Sequence, residues 1–545
     1  MKKIIVVGLI LLSSIAINAQ KQTKLDRPKL VVGIIVDQMR YDYLSRFYDK
    51  YSEDGFKRLL NEGFSCENAH FNYIPTYTAV GHASVYTGAT SSAHGIIGNN
   101  WYDKFLKKSI YCVDDFNYDA VGIKKQGGQK SPYRMLTSTM TDELRLAQNM
   151  KGKTISVSIK DRSAILPGGH TSNGSYWFIG GDEGKFISST FYMDALPKWV
   201  KEFNALELPK KYVKQKWETL YDIETYTESL ADDNVYEESF NGEKSPVFPH
   251  DLSKLRKKNS NFDLVKSTPF GNEIVVEFAK AAIENENLGQ GDYTDFLAIS
   301  FSSTDYIGHQ FGVDSKEIQD TYLRLDKELA QLLNYLDKNI GKNNYTLFLT
   351  ADHAAVQVPA YLKSQKIPAG YIDMNAFKKY LSDLTNKYFQ SDDLIENISN
   401  FQIFLDHDKI SELKLDKKKV AQMLADEIIN YDGVHKTVTA QTMQNTVFAE
   451  GILNKLQNGY NQKLSGDVLI VPDPAKISYS KTGSTHGSGF SYDTHVPIIF
   501  YGKGINQGRS REKIEIIDIA PTISNLLMIE FPNGTMGNVI TKALK

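Results

Sequence analysis

The 545-residue chain is 41% hydrophobic and 23% charged, the composition of a soluble globular protein with ample length for a core, in one large domain with insertions or two to three ordinary ones. A formal net charge of −2 argues against a nucleic-acid partner. With only two cysteines, any metal site must be built from Asp, His and hydroxyl ligands.

Lys2 and Lys3, the apolar run over residues 4–15, and Ile17-Asn18-Ala19 before Gln20 spell a secretory signal peptide over residues 1–19. The apolar run is short for a spanning helix, and no Cys follows the cleavage site to take a lipid. The mature protein, 20–545, is therefore expected to be periplasmic or secreted, without a membrane anchor. Export places Cys66 and Cys112 in an oxidising compartment, where a single structural disulfide is favoured over two free thiols.

In chain order, residues 29–36 form a continuous β-branched run of the type buried on both faces of a parallel sheet, ending at Asp37. A helical stripe through Tyr43, Leu44, Phe47, Tyr48 and Tyr51 follows, then a short one through Phe56, Leu59 and Leu60. Residues 72–88 read as a loop opening into a helix, with Thr78 at the turn, and 94–101 as a Gly-rich turn carrying Asn99. After a helix over 140–150, a strand over 154–159 delivers Lys160-Asp161-Arg162. From about 170 to 270 the pattern breaks into short pieces, which we read as an insertion on the main sheet. Regularity returns with a helix over 273–287, a strand over 295–301, a helix over 315–339 and a strand over 345–350 that leads to Asp352-His353. A second insertion fills about 361–475, with a helix over 417–431. The chain closes with a strand over 496–500 and an amphipathic segment over 514–527. The alternation predicts one α/β domain over 20–545, with a mostly parallel sheet flanked by helices and two inserted cap or lid regions.

Four of these strand ends carry reactive residues: Asp37, Lys160 with Arg162, the segment 302–309, and Asp352 with His353. Open α/β sheets bind ligands outside the carboxyl ends of their strands. Any one such Asp is satisfied as a turn residue or N-cap; the convergence of four asks for a site. Asp305 and His309, four apart around Gly308, share one face of a helical turn, and His486 sits in the flexible Gly/Ser loop 484–489. Asp37, Asp305, His309, Asp352, His353 and His486 supply six N/O ligands, enough for two divalent cations, and the set suits zinc. Thr78 at a helix N-terminus, where amides and the dipole favour an anion, is the candidate nucleophile, and coordination to a dication would lower its pKa. A capping role fits the same residue. The separate Asp and His clusters decide for the nucleophile.

The combination of Val36-Asp37-Gln-Met-Arg40, Pro75-Thr-Tyr-Thr78, Asn99, Lys160-Asp-Arg162, Asp305-Tyr-Ile-Gly-His309, Ala351-Asp352-His353 and Thr485-His486-Gly487 resembles the alkaline phosphatase superfamily. More closely it resembles the exported, phosphate-irrepressible alkaline phosphatases of the PafA type. The resemblance implies an alkaline-phosphatase-like catalytic domain hydrolysing phosphate monoesters with two zinc ions per subunit. Asp37, Asp352, His353 and the Thr78 oxygen would hold one ion, and Asp305, His309 and His486 the other. Asn99, Lys160 and Arg162 would contact the phosphate oxygens. The expected reaction passes through a phosphothreonine at Thr78 and is then hydrolysed, with retention at phosphorus. A sulfatase is excluded, because no Cys or Ser stands in a Cys/Ser-x-Pro-x-Arg context at the nucleophile. Phosphodiesterases and nucleotide pyrophosphatases share the Thr and the Asp-x-x-Gly-His pattern and stay as an alternative, as does an exported, non-catalytic metal- or phosphate-binding protein. The pair Lys160/Arg162 favours a monoester, whose dianion presents the extra negative oxygen that this pair neutralises. Small phosphate monoesters are the expected partners. The sequence is compatible with a monomer and does not reveal the oligomeric state.

Overall fold

The apolar run after Lys29 forms β1 (Leu30–Val36), every residue of which is buried, as a strand with no polar face requires. The computed structural model describes residues 26–124 and 127–545, so the expected signal peptide lies outside the described residues. The further strands of the main sheet are β2 (Phe64–His70), β3 (Ala120–Val121), β4 (Thr154–Ser158), β5 (Gly174–Ile179), β6 (Lys185–Ser189), β7 (Asp295–Phe301), β8 (Tyr345–Thr350), β9 (His495–Gly502), β10 (Gly508–Ser510) and β11 (Ile514–Glu515). They join in one eleven-stranded sheet of order β10-β2-β9-β8-β1-β7-β4-β5-β6-β3, with β11 also beside β2. The central strands β8, β1, β7, β4 and β5 run parallel. Antiparallel β9 and β6 border them on either side.

Register positions the site. Ile35 stands beside both Ser300 and Thr350, and Ser300 beside Ser158. The residues just beyond β1, β7, β8 and β4 therefore emerge side by side along one edge of the sheet. The helices that matter here are α1 (Thr78–Thr87), α2 (Asp161–Gly168), α3 (Phe270–Asn285), α4 (Ser303–Phe311), α5 (Lys316–Asn339), α6 (Met374–Phe389), α7 (Lys417–Ile428) and α8 (Ile519–Leu527). Ser315 caps α5, its side chain accepting the Ile318 amide.

The structure revises two expectations and adds a strand the sequence reading lacked. The stretch taken as an insertion from about 170 begins with two strands of the main sheet: the aromatic run of β5 and its partner β6 extend it, and irregular structure starts only after Ser189. β2 escapes the sequence pattern because Glu67 and Asn68 break the apolar alternation, yet Phe64, Cys66 and Ala69 are buried against β9. The proposed disulfide is absent: Cys66 and Cys112 are free and buried. Cys66 sits within β2 near Asp518, whereas Cys112 lies near Arg162 and Asp161, so each thiol is enclosed in its own part of the core. Burial pushes both thiols up to about 12.

Within 374–472 a four-stranded antiparallel sheet pairs Ile395–Ser399, Gln402–Leu405, Val468–Pro472 and Val434–Thr439 in that order. Alternation along Val468–Pro472 sends Val468 and Ile470 into one apolar cluster with α6 and α7. Leu469 and Val471 enter a second cluster, with Leu456 and Tyr460. The segment thus carries its own core, and its hairpin at Asn400 reaches back to the main body, where Asn400 Nδ2 donates to the Asn100 carbonyl at 2.8 Å.

Beneath α5 a buried histidine is clamped between acids: His250 Nδ1 lies 2.9 Å from Glu243 and Nε2 3.2 Å from Glu317. Burial alone would lower its pKa; the two carboxylates outweigh it and raise His250 to about 9. A raised pKa gives stability that is complete below the unfolded value and lost as pH climbs through the folded one. Unfolding in guanidinium should therefore reveal about 3 kcal/mol of stability present at pH 6 and lost by pH 9.5, and absent in His250→Gln; an unaltered pH dependence in the variant would contradict the assignment. A thiol reagent should label two cysteines in denaturant without reductant and neither in the folded protein, whereas an oxidised pair would give none in either state.

Candidate active site

Thr78 opens α1, and all ten residues of that helix are buried. Its N-cap is Tyr77, in extended conformation and making no side-chain cap bond, so the Thr78 hydroxyl is not spent on capping. Thr78 is 1% exposed, and its Oγ1 lies 3.4 Å from His353 Nε2. The helix packs flush on the end of β8 because Gly81 permits it: a Cβ there would come within 2.1 Å of the Asp352 carbonyl oxygen. Asn99 Oδ1 accepts the Ala79 amide at 2.9 Å, satisfying a free N–H of the first turn and leaving the carboxamide NH2 as its remaining donor group.

Around this hydroxyl the strand ends assemble three buried carboxylates, Asp37, Asp305 and Asp352, with three imidazoles. His353 Nε2 is 3.5 Å from Asp37 and 3.6 Å from Asp352. His309 and His486 approach Asp305 Oδ1 through their Nε2 atoms at 3.1 and 3.6 Å. The rings of His353 and His486 stack at 3.4 Å. Ligand atoms of Asp37, Asp352 and His353, and likewise those of Asp305, His353 and His486, lie within 4.8 Å of one another. His353 thus stands between two groupings, with His309 beside the second.

The tautomers follow from the partners. His353, His309 and His486 each place Nδ1 on a backbone carbonyl, of Ala354, Ser484 and Thr76, at 3.0, 2.7 and 2.7 Å. A carbonyl only accepts, so each Nδ1 carries a proton and Nε2 is the ring nitrogen that each imidazole turns inward, toward the carboxylates. Asp37 Oδ1 and Asp352 Oδ2 are buried without a hydrogen-bond partner. Inward Nε2 atoms and orphaned carboxylate oxygens make a donor set that fits divalent cations, zinc in particular.

Electrostatics are tense. Burial, with Asp305 and Asp352 adding to it, holds the Asp37 carboxyl well above the usual range. Burial pushes Asp305 the same way, but His309 and Lys160 overcome it and hold Asp305 well below. Burial, reinforced by His353, keeps the His486 imidazole neutral. The Lys160 ammonium reaches Asp37 at 2.7 Å and Asp305 at 2.5 Å, tying the two groupings together. Expected as a phosphate contact, it is engaged here with carboxylates. Arg162, at the start of α2, donates to the Tyr111 hydroxyl at 3.1 Å, and Tyr111 donates to Asp161 at 2.5 Å. Its Nε is buried without a partner, a donor available to an anion.

Thr78, Asp37, Asp305, His309, Asp352, His353, His486 and Lys160 thus meet in one cluster, while Asn99 joins it through α1 and Arg162 through its proximity to Lys160. Sequence reasoning missed the supports. Gln38 bridges the groupings, its amide donating to Asp352 at 3.1 Å and its side chain to Asp305 at 2.8 Å. His82 links the Thr78 carbonyl at 2.8 Å to Ser300 at 2.9 Å and sits 3.4 Å from Asp352. His82, four residues after Thr78 on the same helix, was legible by spacing; Gln38 had no signal.

Residues 31–495 match the family described as type I phosphodiesterase / nucleotide pyrophosphatase. A protein named calcium-transporting ATPase from Myroides odoratus is 48% identical, over 96% of this chain and 96% of that one. Alkaline phosphatase PhoV of Synechococcus elongatus is 48% identical over the full length of both. The crystal structure of alkaline phosphatase PafA superposes with a TM-score of 0.91 at 44% identity, covering 95% of this chain and 99% of that one. The chain is a member of the type I phosphodiesterase / nucleotide pyrophosphatase family and, within it, of the alkaline phosphatases of the PafA and PhoV type.

Proposed function

We propose that the chain is a broad-specificity phosphomonoesterase that works through a phosphothreonine at Thr78 with two zinc ions and releases inorganic phosphate. The observation that carries this reading is the Thr78 hydroxyl, free of capping, beside His353 Nε2 inside a buried cluster whose imidazoles turn their Nε2 atoms inward. Asp37, Asp352, His353 and the Thr78 oxygen would hold one ion and Asp305, His309 and His486 the other. Bound there, the dications lower the pKa of a coordinated hydroxyl and offset charge on the entering and leaving oxygens.

The chain's own residues do the rest. Thr78 Oγ attacks phosphorus in line, the bond to the substrate's alcohol oxygen breaks, and the alcohol departs with a proton. Water then attacks the phosphothreonine, restoring Thr78 and freeing phosphate, so two inversions give net retention. The positive N-terminus of α1 faces the charge that develops at Thr78. Arg162 offers its planar fork to the non-bridging oxygens, Lys160 a point charge, and Asn99 its NH2. A terminal phosphoryl group on ATP presents the same dianionic face, which accommodates a relative bearing an ATPase name. The diesterase reading remains the competitor because the family includes it; the Arg162 and Lys160 charges favour the dianion of a monoester. We further propose that the mature protein is exported. Among the described residues no helix is long and apolar enough to cross a membrane.

Thr78→Ala should lower kcat for p-nitrophenyl phosphate by at least about 10³-fold without shifting the melting temperature, and near-normal turnover would overturn the nucleophile. Arg162→Ala should cost roughly 10²- to 10³-fold on p-nitrophenyl phosphate but much less on the bis ester, collapsing the monoester preference; a diester preference indifferent to the change would favour the competing reading. Chelation should abolish turnover and zinc restore it, with two ions per chain by elemental analysis.

A further inference from the structure

A cavity of about 280 Å³ lies at the seam between the 374–478 segment and the loop that carries the nucleophile. Tyr77, Phe401, Leu456, Val471, His486 and Asp493 are among its walls. Two of these belong to the reaction centre's immediate frame. Tyr77 precedes Thr78, and its ring meets that of His486 edge-on at 5.8 Å. On another side Asn400 lines the space while donating to the carbonyl of Asn100, next to Asn99. The cavity therefore adjoins the loops that carry Thr78 and His486 and lies against the inserted segment.

Its chemistry is specific. Most of the wall is aliphatic or aromatic, from the face of the small sheet that bears Leu469 and Val471. Set into it is one buried acid: Asp493 is 2% exposed, its Oδ2 accepts the Ser488 amide at 2.8 Å, and its Oδ1 has no partner. A buried carboxyl oxygen without a partner, in a residue that lines an apolar space, is costly unless a donor meets it.

We propose that this cavity is the subsite for the alcohol portion of the substrate, selecting phosphate monoesters whose alcohol has a flat apolar body, with added affinity for a hydroxyl or ammonium donor that reaches Asp493. The inference rests on the phosphomonoesterase reading. Binding of the alcohol portion acts on kcat/KM through interactions remote from phosphorus.

The test uses the full-length, zinc-loaded mature protein, its Met374→Trp and Ser478→Trp variants, which fill the cavity from its rim, and two classes of probe. Phenylphosphonate should inhibit at least about tenfold more tightly than methylphosphonate, and 4-(aminomethyl)phenylphosphonate more tightly than its 4-methyl analogue. In both variants the phenyl-to-methyl ratio of inhibition constants should approach one, and kcat/KM for phenyl phosphate relative to methyl phosphate should fall about tenfold. Equal inhibition by phenyl- and methylphosphonate in the unaltered protein, or ratios that neither variant moves, overturns the subsite; equal binding of the aminomethyl and methyl analogues overturns the role of Asp493. If neither ester is hydrolysed while the phosphonate preference holds, the monoesterase reading fails and the subsite stands.

Discussion

Three carboxylates buried within a few ångströms of one another are the constraint on which this structure depends. Asp37, Asp305 and Asp352 are almost wholly withdrawn from water, and like charges at such separations repel strongly in a medium of low polarizability. The fold holds them there because each sits just past the end of a parallel strand whose register is set by apolar side chains buried on both faces. Lys160, from a fourth strand, meets two of the three, and the Gln38 amide groups bond to the third and to Asp305. What remains is a cluster of carboxylates with inward-facing imidazole nitrogens, a donor set that suits divalent cations.

Orientation in this centre comes from the backbone. The three imidazoles are each fixed by a carbonyl, and two of those carbonyls, of Ser484 and Thr76, belong to loops that themselves supply site residues. Ring rotation and tautomer are thus settled by the folding of the chain, ahead of any ligand. Arg162 is steadied differently, through Tyr111 and Asp161, with Lys130 also 3.3 Å from Asp161. Its fork is held by Tyr111 of the hairpin 100–111 that follows Asn99, so Arg162 and Asn99 share a scaffold.

Much of the core was legible because its physics is local. The runs at 30–36, 295–301 and 345–350 are largely apolar without alternation, and an aspartate follows each within four residues, Asp37, Asp305 and Asp352; Asp305 and His309 are four apart on what is indeed one helix, α4. Failures came where tertiary pairing overrides composition. β2 reads as polar but is buried by β9 on one side and β10 on the other. β5 and β6 read as the start of an insertion because their aromatic content resembles loop packing, and only the sheet edge they extend makes them strands. The cysteine pairing could not be judged from compartment alone, since two thiols bridge only when the fold brings them together. Gln38 was invisible for a related reason: its role lies in reaching across from β1 to Asp305, which sequence does not record.

The bond from His486 Nδ1 to the Thr76 carbonyl joins the loop before the nucleophile to a residue more than four hundred positions away. The Thr78 loop and the imidazole consequently behave as one mechanical part. A deletion or lengthening anywhere in 74–79 changes the aim of His486 as much as that of Thr78, and a shift in 484–488 returns the disturbance. These two short loops are bound to drift together or not at all.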